Sequence, residues 1–160
     1  MVHINPGRWT HQHDGEVVVF LIGMRVNQWH RVRAWWPTFA AMRPMLGELY
    51  ADPGSGLLGH RMALTGDGPL LVQYWASSEQ LLAYASSSER RHRPAWQAFN
   101  ARARQAGTAV GIWHETYVVP AGCHESIYSG MPPQGLAKAT AQVPVGRGAE
   151  RAAQRLRRSA

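Results

Sequence analysis

The stretch VVVFLIG, residues 17–23, carries no polar side chain at any position. Its valines and isoleucine favour a β-strand, because branched side chains pack well on a pleated surface. A strand without a polar face is typical of the interior of a sheet that is covered on both sides. We therefore predict that this strand lies at the centre of the main sheet.

The segment after this strand predicts one long helix and a hairpin. Apolar residues recur at three-, four- and seven-residue steps over 29–50, as on one face of a helix, and Pro37 and Pro44 predict kinks or a split there. LLGHRMAL (57–64) and LLVQYW (70–75) flank a loop rich in turn residues, which is typical of a β-hairpin.

Two further elements complete the predicted order. A second helix is expected at about 93–106, where Pro94 suits the first turn, and TAVGIWHETYVV (108–119) predicts the last strand. The order β-α-β-β-α-β is that of an α+β, ferredoxin-like fold, in which an antiparallel sheet carries its helices on one face. Because the apolar first strand also needs cover on its other face, we predict a homodimer in which two sheets meet.

Composition indicates one domain followed by a basic tail. The chain has 160 residues, 45% of them hydrophobic, which is enough for a single core. After residue 137, six cations against Glu150 contribute +5 to the net charge of +7. We predict a domain over 1–139, irregular from about residue 120, and a disordered tail over 140–160, because Gly, Ala and Arg bury little apolar surface. The low charge of the domain itself argues against a nucleic-acid partner.

Several classes of protein are excluded by what the sequence lacks. The longest apolar run, VVVFLIGM at 17–24, is too short to cross a bilayer, and Cys123 as the only cysteine fits a reducing cytoplasm. No Gly-rich phosphate loop, nucleophile elbow or Cys/His zinc spacing occurs, and the two histidines of HQH (11–13) lack a third metal ligand. We therefore expect neither NTP-dependent chemistry nor a metal site of protein ligands.

GIWHETYVV, in the last strand, combines an imidazole and a carboxylate. Alternation sends His114 and Glu115 to opposite faces, which excludes a local dyad. Glu115 between Trp113 and Tyr117 would form a pocket wall, where a desolvated carboxyl would have a raised pKa and could act as acid or base. The alternative is that Glu115 pairs with Arg25 across the sheet. His114 faces the helices. There it could be a packed core residue or could have a catalytic role.

HRPAWQAFN (92–100) is a second candidate site. His92 and Trp96 share a helical face with Phe99, and Asn100 lies one step beyond it. Core packing accounts for Trp96 and Phe99. His92, at the entry to the helix, could serve as a general base or as an axial ligand to haem iron.

Five motifs in order resemble the DUF4188 family, which is grouped as monooxygenase-like with a fumagillin-pathway enzyme: VVVFLIGMRVN, LLVQYW, HRPAWQAFN, GIWHETYVV and YSGMPPQGLAKA. The resemblance covers about residues 3–139. That family is similar to the dimeric α/β-barrel superfamily, which includes cofactor-free monooxygenases and haem-dependent aldoxime dehydratases. The resemblance implies a dimeric α/β barrel. In haem-binding relatives the iron ligand often sits on the helix after the third strand, which implies His92 as the ligand if haem is bound.

These observations predict a small monooxygenase-like enzyme that acts on an apolar molecule in a cavity on the sheet face of a homodimer. Without flavin or metal, a base must deprotonate the substrate so that its carbanion reduces O2 in a dry pocket. Glu115 or His92 would be that base, with His114 as a further candidate. The alternatives are a haem enzyme with His92 as axial ligand and a non-enzymatic small-molecule binding module, so the expected cofactor is none or haem. The side chains expected to hold the substrate and its developing charge are Trp96, Trp113, Tyr117, Asn100 and Arg25.

Overall fold

The computed structural model describes residues 3–86 and 93–158 of the chain. In chain order, its elements are β1 (Asn5–His11), β2 (Val17–Val26), α1 (Val32–Ala51), β3 (Leu57–Leu64), β4 (Pro69–Trp75), α2 (Ser78–Ser86), α3 (Arg93–Ala106), β5 (Val110–Val119), β6 (Tyr128–Met131), α4 (Gly135–Ala139), β7 (Gln142–Pro144) and α5 (Ala152–Arg158). Within these residues, no helix has the length and apolarity needed to cross a bilayer.

The main sheet has the strand order β3-β4-β2-β5, so β2 lies in its interior as predicted. All three pairings are antiparallel. With α1 following β2 and α3 preceding β5, the order is the ferredoxin-like β-α-β-β-α-β, and α2 is a short additional helix after β4. The predicted α+β, ferredoxin-like fold is therefore confirmed.

The core lies between this sheet and α1. Val18 of β2, Trp75 of β4 and Leu49 of α1, each no more than 2% exposed, form a buried cluster with Leu81 of α2. α1 continues through Pro37 and Pro44 as one helix, so the predicted split does not occur. Each proline removes a backbone hydrogen bond, but buried side chains on both sides of Pro44 tie the helix to the core: Thr38, Ala41, Met42, Leu46 and Leu49.

The other face of the main sheet is largely apolar and only partly covered, and we refer to it as the open sheet face. Besides Arg25 and Glu115, it carries apolar side chains from alternate positions of β2, β4 and β5: Val19, Leu21, Leu70, Val72, Trp113 and Tyr117. The indole of Trp113 lies directly over Gly23, where a Cβ atom would come within 2.3 Å of the ring. Trp113 is nevertheless 40% exposed and Tyr117 52% exposed.

A second sheet, with strand order β6-β1-β7, lies where we predicted an irregular extension and a disordered tail. α5 follows it, and Arg155 of α5 ties the segment down. The Arg155 guanidinium, 8% exposed, lies 2.8 Å from the carboxylate of Glu125 and donates to the carbonyl oxygens of Ala149 and Glu150. The structure therefore differs from the prediction over residues 140–158, because a basic residue there is a buried anchor rather than a solvated charge.

Two histidines also fasten β1 to the segment before β6. His124 donates from Nε2 to the carbonyl oxygen of Gly15 at 2.9 Å, so that in the neutral ring Nδ1 accepts from Nε2 of His11 at 2.8 Å. Nδ1 of His11 then accepts from the hydroxyl of Ser126 at 2.7 Å. Both rings are buried. HQH thus contributes to a hydrogen-bond chain, and among the described residues no group of three potential metal ligands occurs.

This histidine chain predicts a loss of stability in acid. Burial, followed by the neighbouring His124 and His13, lowers the pKa of His11 from 6.5 to about 4, and Glu125 opposes this shift. The unfolded chain therefore takes up the proton at a higher pH than the folded protein. The resulting contribution, on the order of 2–3 kcal/mol, is present above pH 6.5 and is lost as the pH falls towards 4. Urea unfolding across this range should show a flatter pH dependence for His11→Gln than for the wild type; parallel curves would contradict the assignment.

The contact between α4 and β3 gives a second stability prediction. A Cβ atom at Gly59 would lie 2.8 Å from Cβ and 2.9 Å from Cα of Ala139. Gly59→Ala should therefore push α4 away from the sheet and cost about 1–3 kcal/mol. Gly47→Ala is the matched control, because Gly47 lies within α1 with nothing within 4 Å of the new methyl group. That change should stabilise the protein by up to about 1 kcal/mol. Thermal unfolding of both variants should give midpoint shifts of opposite sign.

Candidate active site

An apolar cavity of about 180 Å³ lies between the main sheet and the helices α1 and α2. We refer to it as the sheet–helix cavity. Strand pairing explains its floor: Phe20 lies opposite Thr116 and Gln73, and Ile22 lies opposite His114 and Leu71, so these side chains share one face. The roof consists of apolar side chains and one phenol: Met42, Met45, Leu46 and Leu49 of α1, and Leu81, Leu82, Tyr84 and Ala85 of α2.

The polar groups of the cavity floor come from β4 and β5. Gln73 is buried, and its side-chain oxygen accepts a hydrogen bond from the indole N–H of Trp75 at 2.9 Å. Because an indole nitrogen can only donate, this bond fixes which end of the amide is oxygen. The NH2 group of Gln73 is then the end available to donate to a ligand. Thr116 of β5 adds an exposed hydroxyl on the other side of Phe20.

Tyr84 contributes a phenol to the roof. Burial, followed by the nearby Glu48, raises the pKa of Tyr84 to about 12. The phenol therefore keeps its proton at neutral pH. Its ring packs against Trp75 at a centroid distance of 5.6 Å, so one tryptophan supports groups on both sides of the cavity.

His114 occupies the rim of the cavity. It belongs to β5, an edge strand of the main sheet, and its side chain is exposed while its ring lies 5.7 Å from that of Phe20. An imidazole in this position touches both the cavity and the solvent. It can therefore take a proton from a bound molecule and release it to water.

Three predicted site residues lie on the open sheet face instead. Trp113, Glu115 and Tyr117 point away from the helices, and none of them lines the sheet–helix cavity. Glu115 is exposed, and its carboxylate accepts a hydrogen bond from the Tyr117 hydroxyl at 2.7 Å, which raises the pKa of Tyr117. The structure therefore places the described cavity on the His114 face, and not on the Glu115 face that the sequence favours.

Arg25 does not pair with Glu115. Its guanidinium lies 2.8 Å from the carboxylate of Asp67, and it also donates to the side chain of Asn27. Arg25 stands four positions along β2 from Leu21, the residue opposite Glu115. The predicted cross-strand ion pair is therefore absent from the described contacts, and Arg25 lies at the far end of the open sheet face.

The predictions for HRPAWQAFN are only partly covered by the structure. His92 lies outside the described residues, and so does the side chain of Trp96. Asn100 is half-buried on α3 and is not among the residues that line the sheet–helix cavity. Sequence reasoning also missed Gln73, although a lone amide inside the apolar strand LLVQYW was the available signal.

A sequence model of one protein family, described as monooxygenase af470-like, matches residues 17–136, from β2 to the start of α4. The chain belongs to this monooxygenase af470-like family. The match covers β2, β4 and β5 and the two helices that enclose the sheet–helix cavity. No match was found among curated protein sequences.

Solved structures place this af470-like protein in a known fold. An aldoxime dehydratase, OxdRE in complex with butyraldoxime, is similar with a TM-score of 0.61 and 17% identity, over 88% of this chain and 43% of that one. A second aldoxime dehydratase has a TM-score of 0.51 and 16% identity, over 86% and 44% of the two chains. This chain thus spans less than half of either enzyme. SnoaB, a cofactor-independent oxygenase from Streptomyces nogalater, has a TM-score of 0.46 and 11% identity, over 64% and 91%.

Proposed function

We propose that this protein is a small monooxygenase that oxidises an apolar molecule bound in the sheet–helix cavity. The observation that carries the proposal is an apolar cavity whose floor, one face of the main sheet, carries the polar side chains of His114, Thr116 and Gln73. A largely apolar pocket with a few convergent polar groups is the usual form of a small-molecule site. Membership in a monooxygenase-like family supports the reaction class.

The reaction that suits this wall needs no external reductant. A base removes a proton from a CH2 group next to a conjugated carbonyl, and the carbanion passes one electron to O2. Recombination with superoxide and return of the proton give a hydroperoxide, which loses water to leave a new carbonyl. One oxygen atom of O2 enters the product and the other leaves as water. The protein has to supply a base, a hydrogen-bond donor and a dry space.

Each part has a candidate in the cavity. We assign the base to His114, because its imidazole reaches both the cavity and the solvent. The NH2 group of Gln73, oriented by Trp75, donates to the substrate oxygen on which negative charge develops. Thr116, two positions along β5 from His114, adds a hydroxyl to the same wall.

The size of the cavity limits the substrate. An apolar cavity of about 150 Å³ holds benzene in an engineered protein, so about 180 Å³ suits a compact molecule of one or two rings. A longer conjugated or terpenoid-like substrate would extend past His114 into the solvent. The reacting CH2 group would then lie at the rim of the cavity, within reach of His114.

Oxygen uptake tests the proposal. The purified protein should consume O2 with apolar phenols and cyclic ketones that carry an activated CH2 group, and 18O2 should label one oxygen of the product. A non-enzymatic binding module, the rival function, would retain such a ligand tightly without turnover. Binding without any O2 consumption across the panel would reject the enzyme.

A haem enzyme with His92 as axial ligand remains our alternative. The similarity to aldoxime dehydratases extends to the fold alone at 16–17% identity. A porphyrin has about forty non-hydrogen atoms, and drug-sized ligands already occupy about 300–1,000 Å³. The sheet–helix cavity, about 180 Å³, does not accommodate it. A Soret band on addition of hemin, abolished by His92→Ala, would establish the haem enzyme instead.

We also propose that the protein is a homodimer, a dimeric α/β barrel, which forms when two open sheet faces meet. Partly exposed Leu21 and Val72, adjacent in register, lie on that face, and the exposed Trp113 and Tyr117 extend it. Val72→Arg should convert the dimer to a monomer, as measured by native mass spectrometry, because two copies of the new charge would face each other. Leu64→Arg is the control, since Leu64 is 80% exposed on the other side of the sheet. A wild-type monomer would contradict the proposal.

We add two further proposals, one on the branch of the family and one on the cellular location. Within the family, we place the chain beside the DUF4188 proteins and the fumagillin-pathway enzyme on the five motifs quoted above. We propose a cytoplasmic location, for which the single Cys123 is the supporting observation.

A further inference from the structure

A groove of about 740 Å³ follows the outer side of β3, away from the sheet–helix cavity. β3 is an edge strand, so part of its backbone N–H and C=O groups point away from β4. The opposite wall comes from the motif YSGMPPQGLAKA, residues 128–139, through its segment 132–139. The proposed oxygenase activity makes no use of this motif, and we refer to the space as the edge groove.

The wall opposite β3 is held in place by close contacts. Ala139 of α4 packs against Gly59 so closely that no Cβ atom would fit there. The backbone N–H of Ala137 donates to the hydroxyl of Tyr128 at 3.3 Å, which ties α4 to β6. The edge groove therefore has two walls of fixed spacing rather than a loose loop on one side.

The charges around the edge groove have one sign. Arg61 and Lys138 line it, and its described lining contains no acidic residue. Neither cation has an ion-pair partner within the described residues. A positive site without internal anions attracts a negatively charged group from solution.

A hydrogen-bonded pair forms one end of the edge groove. The hydroxyl of Tyr50 lies 2.7 Å from Nδ1 of His60. Burial, followed by the nearby Lys138, lowers the pKa of His60, so the ring is neutral at pH 7. The tyrosine hydroxyl then donates to Nδ1, and the proton of the imidazole is on Nε2 as a further donor.

Apart from the amide of Gln134, the remaining lining is apolar. Leu58 and Met62 of β3 face Pro132 and Pro133 across the groove, and Met62 is 42% exposed. Cations next to an apolar channel match a molecule that has an acidic head and a hydrocarbon body. Neither part alone would contact both the cations and the apolar side chains.

We propose that the edge groove binds an amphipathic anion, with its acidic head at Lys138 and Arg61 and its apolar body along Leu58, Met62 and Pro132. The head is a carboxylate or a phosphate, since both accept hydrogen bonds from ammonium and guanidinium groups. This proposal does not depend on the oxygenase activity, because it involves no residue that lines the sheet–helix cavity.

The test uses decanoate below its micelle concentration and the full chain. Binding is followed by NMR at the imidazole Cε1–H signals, so that His60 reports the edge groove and His114 reports the sheet–helix cavity. We expect decanoate to shift the His60 signal and to raise the pH at which it titrates, because a bound anion stabilises the imidazolium form. Decyl phosphate should act in the same way, whereas decanol should not.

Charge variants complete the test. Arg61→Gln/Lys138→Gln should weaken decanoate binding about ten-fold, a loss of about 1.4 kcal/mol, because both cations that hold the acidic head are removed. Arg33→Gln/Arg43→Gln removes the same charge from the exposed side of α1 and should leave the affinity within about two-fold. Equal losses in the two variants, a shift at His114 without one at His60, or equal binding of decanol would each overturn the proposal.

Discussion

His114→Phe should lower the kcat of substrate-dependent O2 uptake by roughly 10²–10⁴-fold, the usual contribution of a general base. The phenyl ring can keep the contact with Phe20, whose ring lies 5.7 Å from that of His114, so the wall of the cavity stays intact. KM should change little, because the apolar lining that binds the substrate is unaltered. Steady-state kinetics with an oxygen electrode measure both constants.

Glu115→Gln is the matched control for this variant. Glu115 is the next residue along the same strand, but it is exposed on the open sheet face. Its replacement should leave kcat within about two-fold, because Glu115 points to the opposite face of the sheet from the sheet–helix cavity. If Glu115→Gln abolished turnover and His114→Phe did not, the reaction would take place on the open sheet face, as the sequence first suggested.

Arg155→Met should lower the free energy of unfolding by about 3 kcal/mol. The guanidinium is 8% exposed and holds Glu125, which is 28% exposed, together with two backbone carbonyl oxygens. Breaking a buried ion pair costs about 3–5 kcal/mol. The partial exposure of Glu125 reduces that figure, while the unpaired carbonyl groups add to it. For a chain of this size the melting temperature should fall by about 6–12 °C.

Arg151→Met is the control, with the same substitution four residues earlier. Arg151 is exposed, so its loss should change the free energy of unfolding by no more than about 0.5 kcal/mol. Urea unfolding of both variants separates an anchored α5 from a disordered tail. Equal and small effects would show that residues 140–158 add nothing to the fold.

The main sheet could be predicted from the sequence because its signals are local. VVVFLIG marks an interior strand without reference to any partner, and the TGDGP loop between two apolar runs marks a hairpin. The second sheet gives no such signal, since β6 has four residues and β7 has three. The second sheet is held in place by contacts such as that between Arg155 and Glu125, and composition does not reveal such contacts.

The sequence predicts which strand carries the candidate site, but it does not predict which face of that strand lines the cavity. Alternation correctly separates His114 from Glu115, since that separation depends only on the pleat. Which face encloses a cavity depends on where α1 and α2 lie over β2, and neither helix carries that information in its own periodicity. The prediction favoured the open sheet face because Trp113 and Tyr117 lie on it, whereas Phe20 and Gln73 line the sheet–helix cavity on the other face.

The position of β1 between β6 and β7 has a consequence for synthesis on the ribosome. β1 emerges first, yet both of its partner strands follow residue 127, after the whole main sheet. At roughly 5–20 residues per second, β1 waits for on the order of 6–25 seconds before its neighbours exist. The ferredoxin-like unit can therefore fold first, and closure of the small sheet is its final step.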